Sequence, residues 1–428
     1  MFRRGASLGP TWSSRVRLWR RGVTCALWWA CAGCGSRGGE DAASTARGVT
    51  APVAPPSLAS PPDATPASPP ATFSLDAHDA FELVGTSDGA LLVWAPPGSC
   101  TRGLSLQRFD AGGVRQGATS NGPTLACGAE PAGPSTGATT ARITEVAAAA
   151  GGGRLGVAWI AERGASAEVL ATHADDGAER FAPAVELAAS VTAGSASRAR
   201  VQLTASETGQ FRVGFREADA ACSARAGRCA HYLTRPLPGP RPADGRGVEA
   251  REIPRPCERM VGGGVWVGGT WYDAVCARDP GAATHVFAIR PEISYAEAVR
   301  TLEDCEPLGI SPGENFAVAW GRCDDGIAAR VLSPQPARDK LVRQVARTLA
   351  CRDGRPLARV TGADGSRFEV AFGPPRARVE GYLPDEFGSA ARAVWTGEAL
   401  VVARPSQGGD LRVEAWRCAG GALVRASP

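Results

Sequence analysis

The chain has 428 residues, of which 53 are Gly, 33 Pro and 13 Cys, with 44% apolar, 21% charged and only 6% aromatic side chains. That length holds two or three ordinary domains or one large repeat-built domain, and the apolar content excludes a wholly disordered chain. The formal charge of +4 originates at the front: six arginines (Arg3, Arg4, Arg15, Arg17, Arg20, Arg21) and no acidic residue precede Cys34, and removing those six from the 47 basic residues leaves 41 against 43 acidic ones. The remainder lacks the cationic surplus that phosphate binding requires, which excludes nucleic acid as the expected partner.

Residues 22–33 form a short apolar run behind the positive segment, followed by small and polar residues. A bilayer-spanning helix needs about 20 apolar residues, so the run reads as a secretory signal occupying residues 1–33. Its end, Ala32-Gly33-Cys34, resembles the lipobox of bacterial lipoproteins, although Cys31 stands where that family usually has Leu. The resemblance implies lipidation of Cys34 and, with Gly35 following it, delivery to the outer membrane or cell surface. Ala30-Cys31-Ala32 also fits the small-x-small rule for ordinary cleavage, and on that reading the chain is secreted or periplasmic.

Residues 34–72 hold eight prolines interleaved with Ala, Ser and Thr. Such a stretch cannot bury enough surface to offset the entropy of ordering, and proline extends it. It is expected to be a tether between the anchor and a body at residues 73–428.

In the body one pattern recurs: a turn, a short apolar strand ending in an aromatic, a second turn and a second strand. The first-strand copies are Gly89–Trp94, Arg154–Trp159, Gln210–Phe215, Val265–Trp271, Asn315–Trp320, Arg367–Phe372 and, without the aromatic, Ala399–Ala403. The second-strand candidates are Leu104–Phe109, Glu168–His173, Ala230–Thr234, His285–Ile289, Ala328–Leu332, Val379–Leu383 and Leu411–Trp416. The terminal aromatics fall 65, 56, 56, 49 and 52 residues apart, the mark of an array. Asp325-Gly326 and Asp364-Gly365 supply hairpin-turn chemistry. Residues 295–304 and 337–349 are the two stretches with helical character, the second through Leu341, Val342, Val345 and Leu349.

Seven copies in this length predict an all-β fold, a β-propeller of about seven blades, with a pair of β-sandwich domains as the alternative. The copies resemble divergent bacterial propeller repeats, and Ala393-Val-Trp-Thr-Gly397 followed by Ala399-Leu-Val-Val402 is similar to the opening of kelch-like repeats. The terminal aromatics are expected to pack as wedges between sheets.

Ten cysteines lie in the body: Cys100, Cys127, Cys222, Cys229, Cys257, Cys276, Cys305, Cys323, Cys351 and Cys418. An even number in an exported chain points to disulfides. Connectivity is formally open; the simplest solution closes nearest neighbours, Cys100–Cys127, Cys222–Cys229, Cys257–Cys276 and Cys305–Cys323, and leaves Cys351 with Cys418 to tie the last two repeats.

Catalytic patterns fail on context. Gly133-Pro-Ser-Thr-Gly137 matches a nucleophile elbow without its strand and helix, and Gly151–Gly156 matches a dinucleotide loop but leads into a strand. His78, His173, His231 and His285 lack metal-ligand spacing, and Asp175-Asp176 and Asp324-Asp325 sit in turns. No catalytic residue, metal or cofactor is assigned. The chain is therefore read as a membrane-anchored envelope lipoprotein that binds a protein or glycan, with an envelope polysaccharide hydrolase or lyase as the alternative. On the alternative, carboxylates from separate repeats converge at the channel mouth.

Overall fold

The computed structural model describes residues 70–78, 80–123, 127, 141–163, 166–175, 180–192, 201–218, 230–237, 251–252, 265–267, 270–275, 284–289, 297–302, 305–313, 315–332, 340–372, 377–406 and 408–426. The signal, Cys34 and most of the proline-rich segment lie outside them. The described residues are arranged in seven antiparallel sheets that follow one another along the chain: 81–121, 142–192, 202–252, 265–302, 305–342, 346–371 and 377–426. Five are regular four-stranded blades, whereas the sixth has three strands and the seventh six. The expectation of about seven blades is corrected to five regular ones, because the last two copies depart from the four-strand form.

Successive sheets share apolar cores. Leu91 and Leu106 of the first pack with Val157 and Trp159 of the second. Ile160 and Val169 of the second meet Leu203 and Phe211 of the third. Val265 and Tyr272 of the fourth meet Ile310 and Ala319 of the fifth. Trp320, Val360 and Trp395 join the fifth, sixth and seventh. Finally Val394 and Leu411 of the seventh pack on Phe81 and Leu83 of the first. A chain whose last sheet packs on its first is a propeller ring and not a pair of sandwiches. The first sheet is covered on both faces, by the second and the seventh, so Gly89–Trp94 is buried from end to end, as its unbroken apolar sequence requires. The outer strand Arg115–Asn121 is polar and exposed throughout.

A strand from the front of the chain closes the ring. Ala71–Ser74 pairs antiparallel with Asp410–Val413 of the seventh sheet, so the folded body starts two residues before Phe73. Phe73 is buried there with its ring 4.8 Å from that of Trp94 in the first sheet. Thr396 Oγ1 and Arg417 Nη2 of the seventh sheet donate to the Ala111 and Gly112 carbonyls of the first sheet's last turn, at 2.5 and 2.7 Å.

Three local expectations are corrected. Val265–Trp271 is a hairpin, Val265–Val267 turning back onto Thr270–Val275, because its paired glycines fall between the two halves. Val379–Leu383 carries a 3-10 turn, Glu380–Tyr382, instead of a strand. Both stretches with helical character are strands: Glu297–Leu302 in one, and Lys340–Val342 and Ala346–Arg352 in the other, where Gln344 at φ 50° breaks any helix and backbone pairing to Ala329–Val331 takes over. The glycine-rich stretch at Gly151 is a hairpin turn with Gly152 and Gly153 at φ 57° and 71°. No helix among the described residues is long and apolar enough to cross a membrane.

Three disulfides join described residues: Cys100–Cys127, Cys305–Cys323 and Cys351–Cys418. The second links directly opposed residues of adjacent strands, and the third ties the sixth sheet to the seventh. These bonds belong to an oxidising, exported environment. Cys222, Cys229, Cys257 and Cys276 lie outside the described residues.

Candidate binding cavity

A cavity of about 320 Å³ opens where the sheets converge, walled by residues of the first, second, third, fifth, sixth and seventh sheets. The most chemistry comes from residues 378–392, which carry two consecutive 3-10 turns, Glu380–Tyr382 and Asp385–Phe387. Tyr382, Leu383 and Phe387 of this insert are buried in the core shared by the last three sheets, which leaves the intervening polar residues on the cavity wall. The Tyr382 hydroxyl donates to the Pro312 carbonyl at 3.1 Å and its ring meets Trp320 edge-on at 5.5 Å. Burial raises the Tyr382 hydroxyl far above the usual phenol range.

The charged wall is a chain of ion pairs. Glu82, on the buried strand Phe81–Thr86, accepts from Arg378 Nη2 at 3.2 Å and lies 3.6 Å from Arg392 Nε, while the Leu83 N–H donates to its other oxygen. Arg378 also holds Glu380, at 2.7 Å from Nη2 and 3.0 Å from Nε. Arg392 donates to the Ala390 carbonyl and lies 5.6 Å over the Phe81 ring. Burial raises the Glu82 carboxyl above the ordinary carboxylate range, with Arg378 and Arg392 pulling the other way. Burial likewise opposes the charge on Arg378, but the carboxylates of Glu380 and Glu82 outweigh it and raise that group.

A second group adjoins the same insert. Arg347 of the sixth sheet donates to the Gly381 carbonyl at 3.1 Å, pairs with the Asp385 carboxylate and lies 5.8 Å over the Trp320 ring. Trp320 is fixed in turn by donating to Ser311 Oγ at 3.1 Å. Gly381 is required here: a Cβ at that position would sit 2.0 Å from Ser311 Oγ and 2.6 Å from Trp320 Nε1. Arg322, two residues beyond Trp320 and exposed, has no ion-pair or hydrogen-bond partner for its side chain among the described residues.

Carboxylates do converge on the cavity, but Glu82, Glu380 and Asp385 are each held by an arginine. Both Glu82 oxygens face donors, so a proton placed on either one displaces an ion pair or a hydrogen bond.

Most of the residues singled out in sequence lie away from this wall; Trp320, one of the terminal aromatics, lines it while also packing between sheets. Cys34 and Gly133–Gly137 lie outside the described residues. The six described body cysteines form disulfides, Asp325 lies in a turn 4.0 Å from Arg343, and Trp159 and Phe215 are buried between sheets. The wall residues were missed because Arg378, Glu380, Asp385 and Arg392 fall in a segment whose apolar spacing imitates a strand. The density of charge in those 15 positions is the signal that marks it.

No protein family matches the chain, and no curated protein matches it. Among solved structures it is similar to a prolyl endopeptidase (11% identity over 82% of this chain and 50% of that one, TM-score 0.43). It is also similar to the Trypanosoma rangeli sialidase (9%, 66% and 54%, TM-score 0.34). A third is the β-propeller domain of the Trilobed protease from Pyrococcus furiosus (9%, 68% and 85%, TM-score 0.37). The chain spans about half the length of the first two. What those proteins act on is theirs.

Proposed function

We propose that the protein is a non-enzymatic binding module of the bacterial cell envelope, exported, lipidated at Cys34 and held off the membrane by its proline-rich tether, with a protein or glycan ligand received at the central cavity. The observation that carries the binding role is the buried Glu82 carboxylate held between Arg378 and Arg392. A hydrolase of the two-carboxylate kind needs one carboxyl free to donate a proton and another free to attack or to activate water. Glu82 is engaged at both oxygens, and Arg378 holds one oxygen of Glu380. The raised Glu82 carboxyl and Glu380 Oε2, unpartnered among the described residues, favour the hydrolytic reading, and the burial of Glu82 between two guanidiniums argues against proton donation.

Two measurements test this. Purified protein is incubated with a panel of envelope polysaccharides while binding and chain cleavage are followed together; binding without new reducing or unsaturated ends is expected, and cleavage lost in Glu82→Gln overturns the reading. For the anchor, Cys34→Ala is expected to move the protein from the membrane fraction to the soluble one. A variant that still partitions with membranes refutes lipidation at that residue.

A further inference from the structure

The cavity wall carries four arginines, Arg322, Arg347, Arg378 and Arg392, against four acids, Glu82, Glu145, Glu380 and Asp385. Arg378 and Arg392 are committed to the Glu82 chain. Arg347 is different, because its position is fixed without Asp385: the Gly381 carbonyl holds one nitrogen and the Trp320 ring lies under the guanidinium, whose side chain is only 13% exposed. Its acidic partner, in contrast, is 83% exposed at the cavity rim. An ion pair to so exposed a carboxylate contributes little and is exchanged at small cost. Arg322, two residues from Trp320 on the strand Ala317–Cys323, also lines the cavity, with its donors unused among the described residues.

We propose that the cavity takes a carboxylate-bearing saccharide, and that Asp385 stands in for the ligand's carboxylate on Arg347, an internal competitor that swings out when the acidic sugar binds. This rests on the binding-module reading above and deepens it. The guanidinium fork matches a carboxylate in a planar, bidentate way, and Arg322 supplies a second donor set for the same group or its neighbour. Exchange of one carboxylate for another preserves the balance of four acids and four arginines, whereas a doubly charged phosphate would be opposed by Glu380 and Glu82 nearby. Glu380 Oε2, without a hydrogen-bond partner among the described residues, accepts from a hydroxyl group, which a sugar ring offers and an apolar peptide terminus does not. The volume lies at the lower end of small-ligand pockets, suited to a short saccharide unit and not to a folded partner.

The test is calorimetric titration of the purified protein with trimers of galacturonate, mannuronate and glucuronate, and with neutral maltotriose, using wild type, Arg322→Ala and Asp385→Asn, with circular dichroism to verify each fold. At least one acidic trimer is expected to bind and maltotriose at least about tenfold more weakly, with Arg322→Ala losing about tenfold, as for loss of one charge-assisted contact. Asp385→Asn is expected to bind severalfold more tightly, a gain that a merely structural aspartate would not give. Unchanged or weaker binding by folded Asp385→Asn overturns the competitor role. Equal binding of neutral and acidic trimers, or no binding of any acidic trimer, overturns the carboxylate specificity. In the equal-binding case the binding-module reading survives, whereas cleavage of the trimers sinks that reading itself.

Discussion

Arg378 Nη2 lies 3.2 Å from Glu82 Oε2 although 296 residues of chain separate them. The pair bridges the last sheet and the first, so the electrostatic chain on the cavity wall is also part of the seam that closes the ring. Cavity chemistry and ring integrity are therefore coupled at this point, and changes to Glu82 should register in both.

Glu82→Ala leaves Arg378 and Arg392 facing an apolar gap, and breaking a buried ion pair from one side costs about 3–5 kcal/mol. Urea unfolding followed by tryptophan fluorescence should show a loss of that size. A loss below about 0.5 kcal/mol, the range of ordinary surface changes, would mean the pair is not a structural element of the seam.

The pH dependence of the same residue has a definite sign. Burial raises the Glu82 carboxyl in the folded state above its unfolded value, near about 4.3. Between those two values the folded protein binds more protons, so this group's contribution to stability falls as pH rises. The difference in unfolding free energy between wild type and Glu82→Gln should therefore shrink with rising pH from about 4.3 up to the raised folded value. A difference that grows over that window contradicts the direction of the shift.

Gly381→Ala places a methyl 2.0 Å from Ser311 Oγ and 2.6 Å from Trp320 Nε1, both in buried surroundings. Overpacking of this kind costs about 1–3 kcal/mol. Because the Gly381 carbonyl also positions Arg347, the variant should lose ligand affinity more steeply than an equally destabilising core change far from the cavity. Matched losses in the two variants would separate Gly381 from the site.

Phe73→Ala removes the side chain that seats the closing strand against Trp94, at about 3 kcal/mol for a large aromatic truncation. Limited proteolysis should then release the segment before Phe81 faster than in wild type. Unchanged cleavage rates would show that Ala71–Ser74 holds its place without the ring contact.

Cys351→Ser together with Cys418→Ser opens a staple spanning 67 residues, and the loss expected from the chain-entropy argument is about 2–4 kcal/mol, larger than for the pair Cys305 and Cys323, which spans 18. Thermal unfolding of the two double variants ranks them directly. The reverse order would show that local strand pairing, not loop closure, sets their contributions.

Much of the fold was legible in the amino-acid order because sheet formation here is local. The apolar runs at Gly89–Trp94 and Leu400–Pro405 and the alternation at Asp410–Ala419 specify which strands lie between sheets and which face outward, and a near-constant repeat turns those strands into an array. The helical periodicity at 337–349 misled because a few apolar residues satisfy either period until pairing partners are known.

The cavity was different. Glu82, Arg347, Glu380 and Arg392 are unremarkable charges on a strand, an edge and a loop until the ring closes, since none has its partner within its own repeat except Glu380 beside Arg378. Local patterning determined the sheets, their order and the Cys100–Cys127 and Cys305–Cys323 staples, because those depend on residues close in the chain. Closure by Ala71–Ser74, the turn-rich insert at 378–392 and the pairing of charges around the cavity were decided only in three dimensions, where burial removes water and makes each arginine's choice of carboxylate matter.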